Sequence, residues 1–139
     1  MIARFTAILF VASAGMLFAE ISPVYYREMQ EKASERLKIK VVDFSRDWYF
    51  WRSERKATVV AEVTAVVKSK SGITPGNRVR IEYVIFYPPS NGWAGPRPMP
   101  ELQEGGEYDF FGERTDVTRD KGILLEPGAR GYSFESLLP

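Results

Sequence analysis

The chain has 139 residues, with 19 lysines and arginines against 18 aspartates and glutamates, and neither cysteine nor histidine. Lacking cysteine, it has no disulfides, metal thiolates or cysteine-borne lipid anchor; lacking histidine, it loses the commonest general base, the Ser-His and Cys-His nucleophile pairs and nearly all zinc sites. A net charge of +1 offers no basic excess for non-specific binding to nucleic acid or anionic lipid.

At the amino end, Arg4 precedes an apolar run from Phe5 to Phe18 that closes on Ala19 before Glu20. A positive start, an apolar stretch of about 14 residues, short for a membrane span, and a small closing residue mark a secretory signal peptide. Residues 1–19 are therefore read as that signal. Residues 20–139 are read as one exported domain, periplasmic or secreted, with no membrane tie after cleavage. An uncleaved anchor and a cut after Ala14 are the alternatives. The remaining chain, about 120 residues, is enough for one core and too short for two. Having lost Arg4, it carries 18 charges of each sign.

Ser22 and Pro23 form an N-cap and first-turn pair, and Tyr25, Met29, Ala33 and Leu37 follow at four-residue spacing. This predicts one amphipathic helix over about 23–36, with Arg27, Glu28, Glu31, Lys32 and Glu35 on its solvated face. Such a helix is expected to plug the end of a small barrel, with a partner-binding helix as the alternative.

The period then changes from four to two. Leu37, Ile39 and Val41 alternate with lysines in a short strand, and a longer strand is predicted from Ala57 to Lys68, with Ala57, Val59, Ala61, Val63, Ala65 and Val67 facing inward. Gly72 and Pro75-Gly76 supply the hairpin turn. The returning strand, Arg78 to Tyr87, places Val79, Ile81, Tyr83, Ile85 and Tyr87 inward, but Val84 and Phe86 make its far end apolar on both faces, as if covered by something else. The proline-rich stretch Pro88 to Pro100 is neither helix nor central strand. Glu107 to Gly112 and Ile123 to Leu125 are two further strands joined by a polar turn, and Tyr132 to Phe134 is a final edge segment.

The expectation is a mostly β fold, a small antiparallel barrel of the oligonucleotide/oligosaccharide-binding (OB) type with about five strands and one amino-terminal helix. A β-sandwich is the rival. The run Ala57-Thr58-Val59-Val60-Ala61-Glu62-Val63, then Ser71-Gly72, Pro75-Gly76-Asn77-Arg78-Val79-Arg80-Ile81-Glu82-Tyr83, then Leu102-Gln103-Glu104-Gly105 with Tyr108, resembles the netrin-like domains related to tissue inhibitors of metalloproteinases. The resemblance implies an OB-type barrel serving as an extracytoplasmic binding or inhibitory module without a cofactor. Those inhibitors chelate the protease metal through an amino-terminal cysteine, which this chain lacks, so that mechanism does not carry over.

Two segments stand out as binding surfaces. Asp47-Trp48-Tyr49-Phe50-Trp51-Arg52 sets four consecutive aromatics among Arg46, Arg52, Arg55 and Lys56. Consecutive residues of an extended segment point to opposite faces, so about half of these rings must find a cover or a ligand. The alternative is that they pack beneath the helix and the proline loop. The loop from Pro89 to Pro100 is stiffened by prolines and carries Trp93, Arg97 and Met99, which are frequent interface anchors; alternatively it is a rigid crossover whose Trp93 caps the core.

The carboxylates Asp43, Asp47, Glu54, Asp109, Glu113, Asp116 and Asp120 show no spacing that singles out an acid/base pair or a calcium loop. No catalytic residue, cofactor or metal ligand is assigned. The expected function is non-catalytic binding of a protein or saccharide through Trp48, Trp51, Arg52, Trp93, Arg97 and Met99. A nucleic-acid-binding barrel and a carboxylate-based hydrolase are the alternatives.

Overall fold

The structure, a computed structural model, describes residues 22–88, 95–115 and 122–139. Residues 1–19, expected to be a signal peptide, and Trp93, Asp116 and Asp120 lie outside the described residues. Five strands, β1 (Glu35–Arg46), β2 (Glu54–Ser69), β3 (Arg78–Phe86), β4 (Glu107–Thr115) and β5 (Ile123–Pro127), close a barrel in the order β1-β2-β3-β5-β4.

The expected all-antiparallel barrel is corrected at one seam. β3 and β5 run parallel through Val79–Ile81 and Ile123–Leu125, while every other pair is antiparallel. The reason is topological: strand direction cannot alternate all the way round a closed ring with an odd number of strands.

Helix α1 (Pro23–Lys32) precedes β1 and begins as the sequence predicts, with the Ser22 hydroxyl accepting from Val24 N–H at 3.3 Å and Pro23 in the first turn. It stops at Lys32 rather than near residue 36, because Glu35 and Arg36 are already in β1, opposite Ser69 and Lys68. Its inward face is also turned from the expected one. Tyr26, Gln30 and Ala33 are buried and Tyr25 is exposed.

The helix is no plug. Ala33 packs with Phe111, on the outer side of β4, and with Ala129, while Met29 and Leu138 flank them. The barrel end is filled by Phe134, whose ring meets those of Tyr83, Phe110 and Tyr108 at 5.3, 5.5 and 6.5 Å between centroids. Residues 132–134, expected as an edge strand, instead leave a 3-10 turn (Arg130–Tyr132) that swings Phe134 inward.

Inside the barrel lie Leu37, Ile39 and Val41 of β1, Ala57, Val59, Ala61 and Val63 of β2, Val79, Ile81, Tyr83 and Ile85 of β3, Phe110 and Leu125. The predicted β2 stripe fails past Val63. Thr64 and Val67 are extra residues in the β1–β2 register, so each shifts the alternation by one. Val66 therefore packs against the core and Val67 faces solvent. A third shift at Val42 lets Phe44 point inward after Val41 and bends the end of β1.

Tyr83 donates its hydroxyl to Pro100 O at 2.8 Å. Burial, with Tyr87 and Tyr108 nearby, pushes its phenol well above the ordinary range. The unfolded chain ionises near pH 10 while the folded one does not, so this group's contribution is complete below pH 10 and is lost as pH rises further, by about 1.4 kcal/mol per pH unit. Tyr83→Phe should cost about 1 kcal/mol at neutral pH and flatten the alkaline limb; urea melts of both proteins between pH 8 and pH 12 check this.

Candidate functional site

The β1–β2 connection is held at its base by main-chain bonding. Asp47 N–H donates to Lys56 O at 3.0 Å, and Lys56 N–H donates back to the Asp47 carboxylate at 3.2 Å. Two tight turns follow, Phe50 N–H to Trp48 O at 2.7 Å and Arg52 N–H to Tyr49 O at 2.9 Å. This short path turns Trp48, Phe50 and Trp51 outward together and leaves Tyr49 half-buried among them.

The rings therefore do not go beneath the helix and the proline loop. Trp48 is 71 % exposed, Phe50 74 % and Trp51 60 %. They pack on one another instead. Trp51 meets Trp48, Tyr49 and Phe50 edge-on, at 5.4, 5.5 and 5.2 Å with interplanar angles of 84°, 72° and 82°. Trp48 and Tyr49 are tilted by 31° at 4.9 Å. Arg52 lies over the Tyr49 ring at 4.6 Å, and Arg55 donates to Phe50 O at 3.0 Å. The cluster is a knob of crossed rings with arginines at its sides, rather than a flat stacking platform.

A polar knot ties the base of this hairpin to the segment after the proline loop. Arg46 pairs with the Glu101 carboxylate and donates to the Tyr87 hydroxyl at 2.8 Å, and that hydroxyl donates to Glu101 at 2.6 Å. Arg46 and Arg55 also lie over the Tyr87 ring, at 5.7 and 4.7 Å. Tip position is thereby coupled to the stretch that holds Met99 and Leu102 against the core.

Arg97 and Met99 lie elsewhere. Arg97 pairs with Glu135 at 2.8 Å and sits over the Tyr132 ring at 4.7 Å. Burial alone would lower its pKa, but hydrogen bonding to Glu135 and Tyr132 outweighs this and raises it. Its carbonyl passes so close to Gly131 that a side chain there would collide with it. Both residues line an open groove of about 590 Å³ with Met29, Val84, Phe86 and Arg130, a groove to which no tip residue contributes. The six predicted positions thus divide: Trp48, Trp51 and Arg52 form the tip, Arg97 and Met99 line the groove, and Trp93 falls outside the described residues.

Two of the acids weighed for hydrolysis are otherwise engaged. Asp47 holds the hairpin base, and Glu113 accepts from Ser34 N–H at 3.1 Å and from its hydroxyl. Glu35, buried and not among the acids weighed from the sequence, accepts from Ser71 N–H at 3.0 Å and from Ser71 Oγ at 2.7 Å. Among the described residues, no group of three or more acidic side chains is placed to hold a metal ion, and no helix is long and apolar enough to cross a membrane.

Sequence reasoning missed Met29, Val84, Phe86 and Arg130. The two-faced apolar end of β3 was the available signal. No family model, curated protein or solved structure matches the chain.

Proposed function

We propose that this chain is an exported, non-catalytic binding module on an OB-type barrel, recognising a protein partner through the aromatic tip of the β1–β2 hairpin. The observation that carries the reading is the solvent exposure of Trp48, Phe50 and Trp51 on a tip whose base is fixed. Several large rings left in water on one protrusion give up burial the fold could otherwise have used, and such residues dominate the energy of protein interfaces. The crossed ring planes favour a protein cleft over a saccharide or a base, both of which stack on a flat face. The netrin-like resemblance and the signal-like leader support the same reading, an extracytoplasmic binding or inhibitory module.

The test is capture from exported-protein extracts by the parent and by a Trp48→Ala, Trp51→Ala double variant. Neither indole supports the core, so stability should move by no more than about 0.5 kcal/mol per site, while partner recovery should be lost. Equal recovery by both proteins, or recovery of glycan alone, would overturn the protein-binding reading. Loss of binding over a modest rise in salt would move the nucleic-acid reading ahead of it.

A further inference from the structure

Arg36 is the first outward residue of β1 and stands directly opposite Lys68 of β2 in the ladder. Directly opposed residues share a face, and like charges so placed repel. The register shift that makes Val67 supernumerary lies immediately beside this pair, between Arg36 and Leu37; such bulges re-aim side chains and recur beside functional sites. On its other side the half-buried Arg36 places its guanidinium carbon over the Phe111 ring of β4 at 5.6 Å, and its Nε is buried with no hydrogen-bond acceptor. Lys38 is on the same outer face, because Leu37 between them is core. Among the described residues no carboxylate lies within ion-pairing distance of Arg36, Lys38 or Lys68. The charges of the chain balance overall, but here three cations are left unanswered.

A polar pocket of about 240 Å³ adjoins them, between β1, β4 and the carboxyl-terminal segment. Arg36, Lys38, Val67, Asp109, Phe111 and Ser136 line it. Ser136 Oγ accepts from Leu138 N–H at 3.1 Å, which leaves its O–H available as a donor. Asp109 brings a negative charge into the lining; it stands opposite Lys38 in the ladder and offsets one of the three cations. The balance of two positive charges suits a dianion.

We propose that this pocket binds a phosphate group. The Arg36 guanidinium, steadied on Phe111, supplies a fork of donors to its oxygens, Lys38 and Lys68 supply further charge, and Ser136 supplies a neutral donor. A half-buried guanidinium without an acceptor carries a desolvation cost that an oxyanion removes. A lone planar carboxylate would be matched by Arg36 by itself, whereas three cations on two neighbouring strands suit a tetrahedral group of higher charge. Arg36 begins β1 and the aromatic tip follows its other end, so the inference stands independently of the knob.

The test is titration of the purified protein with inorganic phosphate at constant ionic strength, followed through the amide NMR shifts of β1 and β4 and repeated with acetate. Saturable shifts centred on Arg36 and Phe111 are expected with phosphate, and weaker binding with acetate. Arg36→Gln should weaken phosphate binding about tenfold and Lys38→Gln about threefold, whereas Asp109→Asn, which removes the acid from the lining, should tighten it about threefold. Glu54→Gln, the same change of charge at the far end of β2, should leave the affinity unaltered. A second arm adds phosphatidylglycerol vesicles: sedimentation of the protein with them, abolished by inorganic phosphate, identifies a lipid headgroup as the carrier, and no sedimentation identifies a soluble phosphate. The proposal is overturned if phosphate does not bind saturably, if acetate binds equally well, if Arg36→Gln binds as the parent does, or if Asp109→Asn and Glu54→Gln act alike. Should Arg36→Gln fail to fold, the opposite effects of Lys38→Gln and Asp109→Asn decide.

Discussion

Gln30→Glu is expected to destabilise the protein by about 3 to 5 kcal/mol at pH 7, although it changes only an amide nitrogen to an oxygen. Gln30 is fully buried, and all of its hydrogen-bonding groups with partners reach the carboxyl-terminal segment. Its Nε2 donates to Tyr132 O and to Glu135 O, both at 2.7 Å, and its Oε1 accepts from Leu137 N–H at 2.9 Å. A carboxylate at this position would face two carbonyl oxygens with no proton to share. Its folded-state pKa would rise above the unfolded value of about 4.3, so the penalty is smallest below that pH and grows as pH rises through the folded pKa. Protonated, the variant recovers one of the two donated bonds. Release of residues 130–139 offers a cheaper escape than global unfolding. Limited proteolysis at pH 7 and pH 4, beside thermal melts, would detect either route; a variant as stable at pH 7 as at pH 4 would refute the account.

Gly112→Ala should cost about 3 kcal/mol, lowering the melting temperature by about 10 °C. At this residue β4 is squeezed between neighbours, paired to Glu35 of β1 on one edge and to Pro127 of β5 on the other. A methyl group there would collide with Glu126 O and with the ring of Phe110. Glu126 O is backbone and cannot swing aside, so β5 must move, and β5 is the strand that closes the barrel onto β3. Gly72→Ala is the control: Gly72 also lacks a side chain, but the space around it is open and only its positive φ of 78° opposes substitution. Calorimetry of the two variants should show the larger loss at Gly112, despite its ordinary backbone conformation.

Most of the barrel could be read from the sequence because its strands are written locally. Val79, Ile81, Tyr83 and Ile85 alternate without a break, and β3 has no register shift. β2 has the same pattern on paper, but Thr64 and Val67 are spaced as ordinary strand residues; only pairing with β1 makes them supernumerary and turns Val67 outward. Pairing between distant segments also decides the parallel β3–β5 seam, the role of Phe134 and the face that α1 buries. Four-residue spacing favoured Tyr25, and the burial of Tyr26 is decided by Tyr132, whose ring lies 4.7 Å away. At the candidate site the composition of the tip was legible and its exposure was not. Whether four consecutive rings are core or surface depends on how short the turn is, and the bonds from Phe50 to Trp48 and from Arg52 to Tyr49 fix that. Arg97 and Met99 were found for their residue type, while the groove they share with Met29 and Arg130 is assembled by packing between distant segments.

The clasp around Gln30 also orders events in time. The residues it joins are separated by 102 to 107 positions in the chain. A polypeptide that emerges amino end first presents α1 early, with two amide donors and one acceptor that nothing yet made can satisfy. Residues 132–137 supply the partners, together with Phe134 for the barrel end. This helix thus settles only after residues 132–137 have appeared, and the layer it shares with them forms no earlier.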